Sequence, residues 1–242
     1  MVRSMLLNKK RVIPLQELLD QNVGSPKADA VLCDLCGICS DSCTAQAISV
    51  GDKWSVDLGR CLWCGDCIQS CPRDAITMTG TCRAVGARGD LICDAGGVER
   101  AGLLLKEEAR RVLGRSLAIR EVDAGSCNGC EVEVNSLSNP YYDFERFGVK
   151  IVASPRHADM LLITGPVNRG MEEALMKTYN ATPEPKLVAA MGTCAISGGM
   201  FGENYACGSG VDKFLHVDIY IPGCPPHPRT VIMGLLEALG RL

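Results

Sequence analysis

Fifteen cysteines among 242 residues dominate this sequence, and eight of them lie between positions 33 and 71. Two segments, CDLCGICSDSC and CLWCGDCIQSCP, share the spacing C-x2-C-x2-C-x3-C, and each is followed by a short apolar tail. The two copies are related by a shift of 28 residues, which carries Cys33 onto Cys61. Thiols packed this densely leave disulfide, metal or redox chemistry as explanations.

The redox compartment decides between these explanations. The chain begins without an apolar stretch of signal-peptide length or a twin arginine, and no run of 18 apolar residues occurs in it. We therefore expect a cytoplasmic protein, where thiols stay reduced and metal ligation is favoured over disulfides. The hydrophobic fraction of 47% excludes disorder over most of the chain, and the net charge of −3 gives no reason to expect a nucleic-acid partner.

Composition divides the chain into four segments. These are a polar leader (1–30) with a short predicted helix at 15–21, the cysteine-rich module (31–80), a Gly- and Ala-rich linker with a helix predicted at 99–113 (81–114), and a C-terminal domain (115–242). In the C-terminal domain, strands are predicted at 117–122, 149–153, 160–164, 187–190 and 217–221, and helices at 171–180 and 229–239. Apolar strands alternating with helices predict a mostly parallel sheet covered on both faces, which binds ligands at the carboxyl ends of its strands.

The repeated cysteine spacing is that of bacterial ferredoxins, and residues 31–80 resemble a two-cluster ferredoxin domain. In that pattern three closely spaced thiolates surround one cluster and the fourth cysteine binds the other cluster. The predicted ligands are Cys33, Cys36, Cys39 and Cys71 for cluster I, and Cys61, Cys64, Cys67 and Cys43 for cluster II. Thr44 stands where the second copy has Pro72, which we expect to alter only local geometry. Four-thiolate zinc sites are the alternative.

Four further cysteines occur in glycine-rich contexts: Cys127 and Cys130 in GSCNGCE, Cys194 in GTCAISGG, and Cys224 in IPGCPP. Each context follows a predicted strand, so all four thiols should converge at one edge of the sheet. The neighbouring glycines allow the backbone to approach an inorganic cluster closely. Taken alone, these thiols leave zinc, an iron–sulfur cluster and no metal as open alternatives.

Residues 115–240 resemble the small subunit of group 4 [NiFe]-hydrogenases, the membrane-associated type that includes formate hydrogenlyase. The matching stretches are VDAGSCNGCEVEVN, FERFGVKIVASPRHADMLLITGPV, GTCAISGG and DIYIPGCPP. The same region is similar to the B subunit of NADH-quinone oxidoreductase (complex I). Those B subunits generally have two adjacent cysteines at the first position, so the C-x-x-C of Cys127 and Cys130 favours the hydrogenase branch.

This resemblance implies a flavodoxin-like α/β domain with a mostly parallel sheet, preceded by a small α+β ferredoxin domain. It implies a third [4Fe-4S] cluster on Cys127, Cys130, Cys194 and Cys224, next to a large partner subunit. It also gives candidate roles to residues near that cluster: proton movement for Glu133 and, less strongly, Glu131, hydrogen bonding to the cluster for Arg146 and Arg156, and proton coupling for His157. A solvated glutamate, structural ion pairs and a surface histidine are the alternatives. We assign no ligand role to Cys82, Cys93 or Cys207, and we expect Trp63 to serve packing.

The resemblance thus predicts an electron-transfer subunit with three [4Fe-4S] clusters and no catalysis by this chain alone. Its expected partners are a [NiFe] large subunit and membrane subunits, which would hold it at the cytoplasmic side of the membrane. A soluble ferredoxin or a formate dehydrogenase is a candidate electron donor, and no nucleic acid is expected. One alternative is a complex I-like subunit that passes electrons to a quinone or another acceptor without nickel. A zinc-stabilised scaffold without redox function is the other.

Overall fold

The computed structural model of the chain describes residues 12–14, 17, 24–94 and 116–241. The helices predicted at 15–21 and 99–113 lie outside the described residues, apart from Glu17. Within the described ranges, the cysteine repeats form a small module with two short sheets, and the C-terminal half forms a five-stranded sheet.

The N-terminal module pairs strands from both ends of its sequence. Strand β1 pairs antiparallel with β4, while β3 pairs antiparallel with both β2 and β5. The strands are β1 (Gly24–Ala28), β2 (Ile48–Val50), β3 (Trp54–Asp57), β4 (Ile76–Thr81) and β5 (Ile92–Cys93). The strand pairs therefore extend beyond residues 31–80 on both sides.

The two cysteine repeats fold into nearly identical loops. Leu35 and Trp63 both have φ of 57°, and each loop then enters a single helical turn, α1 (Ile38–Asp41) or α2 (Asp66–Gln69). The hydroxyls of Ser42 and Ser70, which occupy equivalent positions 28 residues apart, lie 2.8 Å from each other. The internal repeat of the sequence is therefore an approximate two-fold repeat in space.

The C-terminal domain contains a parallel sheet in the order β7-β6-β8-β9-β10. Numbered from its own first strand, this order is 2-1-3-4-5, the flavodoxin-like arrangement that the resemblance implied. The five strands begin and end within two residues of their predicted bounds. They are β6 (Leu117–Asp123), β7 (Val149–Ile151), β8 (Met160–Thr164), β9 (Leu187–Met191) and β10 (Ile219–Ile221).

Both faces of this sheet are covered, as the continuous apolar strands predict. The helices of the domain are α3 (Gly129–Leu137), α4 (Arg169–Ala181), α5 (Thr193–Ser197) and α6 (Pro228–Ala238). Side chains of α3 and α6 pack with Met160 and Leu162 on one face. On the other face, Leu161 and Ile163 share a core with α4, α5 and the N-terminal module. The helices predicted at 171–180 and 229–239 are confirmed.

The segment that we interpreted as the start of a linker is packed between the two modules, which corrects that interpretation. Val85 exchanges both backbone hydrogen bonds with Tyr220 of β10, at 2.9 and 2.8 Å. Arg83 forms an ion pair with Glu237 of α6 at 2.9 Å. Ala84 packs so closely against Gly234 that a Cβ on the glycine would lie 2.5 Å from the alanine Cβ. The small residues of this segment thus permit close packing between the modules.

Thr193 makes the contact that connects the modules at their cysteine loops. Its buried hydroxyl donates to the carbonyl of Cys61 at 2.8 Å, and the carbonyl of Gly223 lies 3.1 Å away. Four residues on, the Ser197 hydroxyl donates to the carbonyl of Gly59 at 2.8 Å. Hydroxyls at both ends of α5 therefore hold the backbone that leads into the second cysteine loop.

We expect Thr193→Val to lower the free energy of unfolding by about 1–3 kcal/mol, because it leaves the buried Cys61 carbonyl without this donor at nearly unchanged side-chain volume. The Gly223 carbonyl keeps the backbone N–H of Thr193 as its donor. Anaerobic denaturant unfolding of the full chain measures this change. Thr178→Val is the matched control, since its hydroxyl only bonds the carbonyl of Ala174 within its own helix. Equal effects of the two substitutions would contradict the assigned role of Thr193.

Candidate functional site

The first cysteine group comprises the four residues predicted for cluster I. Cys33, Cys36, Cys39 and Cys71 line one cavity between the first loop and the start of the tail after Cys71. Cys36 is exposed and Cys39 is buried, so the group lies at the surface with one side in the core. Burial raises the pKa of Cys39, and the charges of Cys33 and Cys71 raise it further.

The second group is more deeply buried. Burial is the main cause that raises the pKa of Cys61 to about 12, with smaller contributions from Cys67, Cys43 and Cys64. Burial likewise raises the pKa of Cys67 to about 11. These mutual effects require the four thiols to be close together, and they are the four residues predicted for cluster II. Thiols with such pKa values stay protonated at neutral pH unless a metal displaces their protons.

Backbone N–H groups are directed at the cysteine sulfurs in both loops. Ala47 donates to the Sγ of Cys43 and Ala75 to the Sγ of Cys71, each at 3.3 Å. The N–H of Trp63 donates to the Sγ of Cys61 at 3.4 Å. Such donors stabilise thiolate charge, and they are the surroundings that iron–sulfur ligands require.

The third group lies where three strands end. Cys127 and Cys130 follow β6, Cys194 follows β9, and Cys224 follows β10. Burial raises the pKa of Cys130, and the charges of Glu131 and the other three cysteines of the group raise it further. Burial raises the pKa of Cys194 to about 11, again with contributions from Cys224 and Cys127. The structure thus brings together the four cysteines that the sequence predicted to converge.

Gly192 leaves the space that this third group needs. Its φ is 88°, and a Cβ added to it would lie 2.6 Å from the Sγ of Cys130. Gly199 leaves similar space beside Cys194, where a Cβ would lie 2.9 Å from the sulfur. Among the described residues, no three His, Cys, Asp or Glu side chains are close enough to hold a single metal ion. The donor set of four thiols with backbone space around them fits a [4Fe-4S] cluster.

The two candidate glutamates occupy different positions beside the third group. The carboxylate of Glu131 accepts hydrogen bonds from the hydroxyls of Ser126, at 2.7 Å, and of Thr164. Glu133 accepts a weak hydrogen bond from Ser136 at 3.4 Å and influences the pKa of His227. Glu131 is therefore the more firmly held of the two, although the sequence favoured Glu133.

His227 was not identified from the sequence, although it lies three residues after Cys224. Burial lowers its pKa, as does the charge of Arg229, while Glu133 opposes this effect. Its ring packs edge-on against Tyr142, with the centroids 6.3 Å apart. The position of His227 within CPPHP, close to Cys224, is the signal that could have identified it.

Three residues that the resemblance placed near the third group lie at the opposite end of the sheet. Arg146 precedes β7, and the first residue of β7 pairs with the first residue of β6. The guanidinium of Arg146 donates to the carbonyl of Ile13 at 2.6 Å. Arg156 and His157 are exposed and precede β8. The cysteines follow the carboxyl ends of the strands, about 16 Å away for a five-residue strand. The prediction that these residues act on the cluster is therefore wrong for this structure.

The remaining cysteines have other surroundings. Burial raises the pKa of Cys82 to about 12, and its thiol lies 3.9 Å from the carbonyl of Pro222 between the modules. Cys93 is buried in β5. Cys207 is close enough to Cys194 to raise the pKa of that thiol slightly. The indole N–H of Trp63 donates to the carbonyl of Gly24 at 2.9 Å, which agrees with a packing role.

Glu121 is a further titratable residue that the sequence analysis missed. It lies in β6, and its Oε1 is buried without a hydrogen-bond partner among the described residues. Burial raises its pKa to about 7, and the charges of Glu131 and Asp123 add to this effect. The signal available in the sequence was a glutamate within the strand predicted at 117–122.

Comparison with protein families agrees with both modules. Residues 127–238 match the family described as NADH ubiquinone oxidoreductase, 20 kDa subunit. Residues 32–75 match the 4Fe-4S dicluster domain, so the N-terminal module is an iron–sulfur domain. The family match begins at the first cysteine of the third group.

Three relatives show similar identity. The chain is 44% identical to formate hydrogenlyase subunit 7 of Escherichia coli over 57% of this chain and 54% of that protein. It is 45% identical to the probable membrane-bound hydrogenase subunit mbhJ of Pyrococcus furiosus, over 54% of this chain and 79% of that protein. It is 46% identical to the B subunit of NADH-quinone oxidoreductase from Carboxydothermus hydrogenoformans, over 45% of this chain and 66% of that protein. The chain thus spans about half the length of the E. coli relative.

In the part of the chain that the structure describes, no helix has the length and apolar character needed to cross a bilayer. The C-terminal helix α6, the most apolar of the longer ones, has 11 residues and packs in the core. A bilayer-spanning helix needs about 20 apolar residues.

We expect Glu121→Gln to make the chain more stable at pH 8 relative to the unmodified chain. The folded carboxyl has a pKa of about 7 against an ordinary value of 4.5. Folding therefore favours its protonated form, and the unmodified chain loses stability as pH rises from 4.5 to 7. The amide stays neutral, so its advantage should grow across this range. Anaerobic unfolding between pH 5 and 8 measures it.

Glu145→Gln is the control for this series, because Glu145 is exposed and lies at the other end of the sheet. The control should show no growth of stability with pH relative to the unmodified chain. A Glu121→Gln effect that is constant across the pH series would show that burial of the charge is not its cause.

Proposed function

The chain belongs to the NADH:ubiquinone oxidoreductase 20 kDa subunit family, and we propose that it is an electron-transfer subunit with three [4Fe-4S] clusters in a membrane-associated [NiFe]-hydrogenase complex. The C-x-x-C spacing of Cys127 and Cys130 and the similarity to two hydrogenase subunits favour this function over a complex I-like one. The similarity to the B subunit of NADH-quinone oxidoreductase supports the second candidate, in which the electrons reach a quinone or another acceptor.

One observation carries this proposal. The hydroxyl of Thr193, which precedes a cysteine of the third group, donates to the carbonyl of Cys61, which begins the second group. A buried hydrogen bond thus connects the residue before Cys194 of the third group to the backbone of the second group. A ferredoxin module attached elsewhere on the sheet would not place its cysteines next to those of the family domain.

Each [4Fe-4S] cluster, when bound, supplies reversible one-electron storage. The chain's own residues hold the thiols in place, donate hydrogen bonds to sulfur and exclude water from the second group, where Cys61 and Cys67 are buried. We assign the twelve thiols as follows: Cys33, Cys36, Cys39 and Cys71 for cluster I, Cys61, Cys64, Cys67 and Cys43 for cluster II, and Cys127, Cys130, Cys194 and Cys224 for the third cluster.

Exposed apolar side chains lie near both the first and the third cysteine group. Val31, Leu32, Leu35 and Ile38 are exposed around the first group, where an external electron carrier would bind. Val132, Met200, Phe201 and Tyr205 are exposed near the third group, whose Cys127 and Cys224 are also exposed. Exposed apolar surface of this kind marks protein interfaces. We propose that the large subunit covers the third group and that partner subunits hold the chain at the membrane.

Cys194→Ser tests the ligand assignment. We expect the anaerobically prepared full chain to lose about a third of its iron, because one of three four-iron clusters lacks a thiolate. Iron and acid-labile sulfide analysis with electron paramagnetic resonance measures the loss. Cys207→Ser is the matched control, since this thiol is close to Cys194 but belongs to none of the three groups. Unchanged iron in Cys194→Ser, or equal loss in the control, would remove Cys194 from the ligand set.

Metal analysis of the native complex tests the function. The complex is purified anaerobically through a tag on this chain, and iron, nickel and zinc are counted per copy. Stoichiometric nickel with more than about twelve iron atoms, the number in three four-iron clusters, is expected. About twelve iron atoms without nickel, beside an intact and matured large subunit, would replace the hydrogenase by the complex I-like function. Zinc in place of iron would overturn electron transfer altogether.

A further inference from the structure

Trp54 carries a buried hydrogen-bond donor that the protein itself does not satisfy. Its side chain is 4% exposed in β3, the central strand between β2 and β5. The indole Nε1 is fully buried and has no hydrogen-bond partner among the described residues that meets ordinary distance and angle limits. A buried indole N–H usually has a partner, and an unsatisfied one destabilises the folded chain. The position therefore requires an acceptor that the polypeptide does not provide.

The first cysteine group lies next to this donor. Trp54 lines a cavity together with Cys33 and Leu35 of the first loop, and it shares a core with Cys39. The unsatisfied N–H thus lies beside the first cysteine group, whose sulfurs would carry negative charge in a cluster.

The other tryptophan of the chain behaves differently. The chain contains two tryptophans, and the indole N–H of Trp63 is satisfied by the carbonyl of Gly24 at 2.9 Å. Trp63 lies in the second cysteine loop, between Cys61 and Cys64. Although Trp63 is nearer in sequence to its cysteines, its donor is already used by the backbone. The N–H of Trp54 is the one left for a cluster.

We propose that the indole N–H of Trp54 donates a hydrogen bond to a sulfur atom of the cluster held by the first group and raises the reduction potential of that cluster. Reduction adds one negative charge to a cluster, and a hydrogen bond to its sulfur stabilises the added charge. The role is one of positioning and tuning, and it rests on the proposed function of the first group. The donor favours electron uptake by the cluster of the first group, where an external carrier would bind.

Trp54→Phe is the direct test, because it keeps an aromatic ring in the core and removes the N–H. The full chain, prepared anaerobically with its clusters, is titrated with reductant while electron paramagnetic resonance follows each cluster. The signal of the first group is identified as the one altered in Cys36→Ser. We expect the potential of this signal to fall in Trp54→Phe while the potentials of the other signals stay unchanged.

Trp63→Phe is the matched control, since it removes the other indole N–H of the chain. It should leave the potential of the first group unchanged. An unchanged or higher potential of the first group in Trp54→Phe overturns the inference, as does an equal fall in Trp63→Phe. If the unmodified chain shows no iron–sulfur signals, the proposed function fails instead.

A second measurement keeps the inference testable if Trp54→Phe does not assemble its first cluster. In the Trp63→Phe chain, Trp54 is the one remaining tryptophan, and it can be labelled with ¹⁵N at the indole nitrogen. Pulsed electron paramagnetic resonance of the reduced first group should detect a coupling to this nitrogen. Absence of the coupling while the signal of the first group is present contradicts the hydrogen bond.

Discussion

The hydrogen bond from the Thr193 hydroxyl to the Cys61 carbonyl is the contact on which this architecture depends, because it joins the ferredoxin-like module to the sheet at their cysteine loops. The strand-like pairing of Val85 with Tyr220 and the ion pair of Arg83 with Glu237 fix the same interface farther away. With both modules in one continuous core, the second and third cysteine groups keep a fixed separation. A fixed separation is what an electron-transfer protein must provide.

Thiol electrostatics couples this architecture to its cofactors. Burial, with smaller contributions from neighbouring cysteines, raises the pKa values of Cys61, Cys67 and Cys194, so these thiols oppose ionisation in the protein alone. Metal binding displaces their protons and makes cluster assembly part of the folding free energy. Hydrogen bonds from backbone N–H groups to sulfur then stabilise the negative charge of the thiolates.

The first and third cysteine groups differ in the polar side chains near their cysteines. The first group has exposed apolar neighbours and the buried indole of Trp54. The third group is bordered by Glu131, whose carboxylate is held by two hydroxyls, with Glu121 buried nearby. Exposed apolar side chains lie near both groups, so the buried indole and the carboxylates are what distinguish them.

The sequence by itself determined the cysteine groups and the positions of the strands along the chain, because both are encoded over short distances: ligand spacing within a loop, and apolar runs within a strand. It predicted the convergence of Cys127, Cys194 and Cys224, since parallel strands place their carboxyl ends together. Arg146 and Arg156 precede their strands, and the strand register places them at the end of the sheet opposite the cysteines. Long-range pairing likewise decided the packing of the segment after β4, the burial of Glu121 and the unsatisfied donor of Trp54. Spacing along the chain carries no information about which groups tertiary packing removes from water.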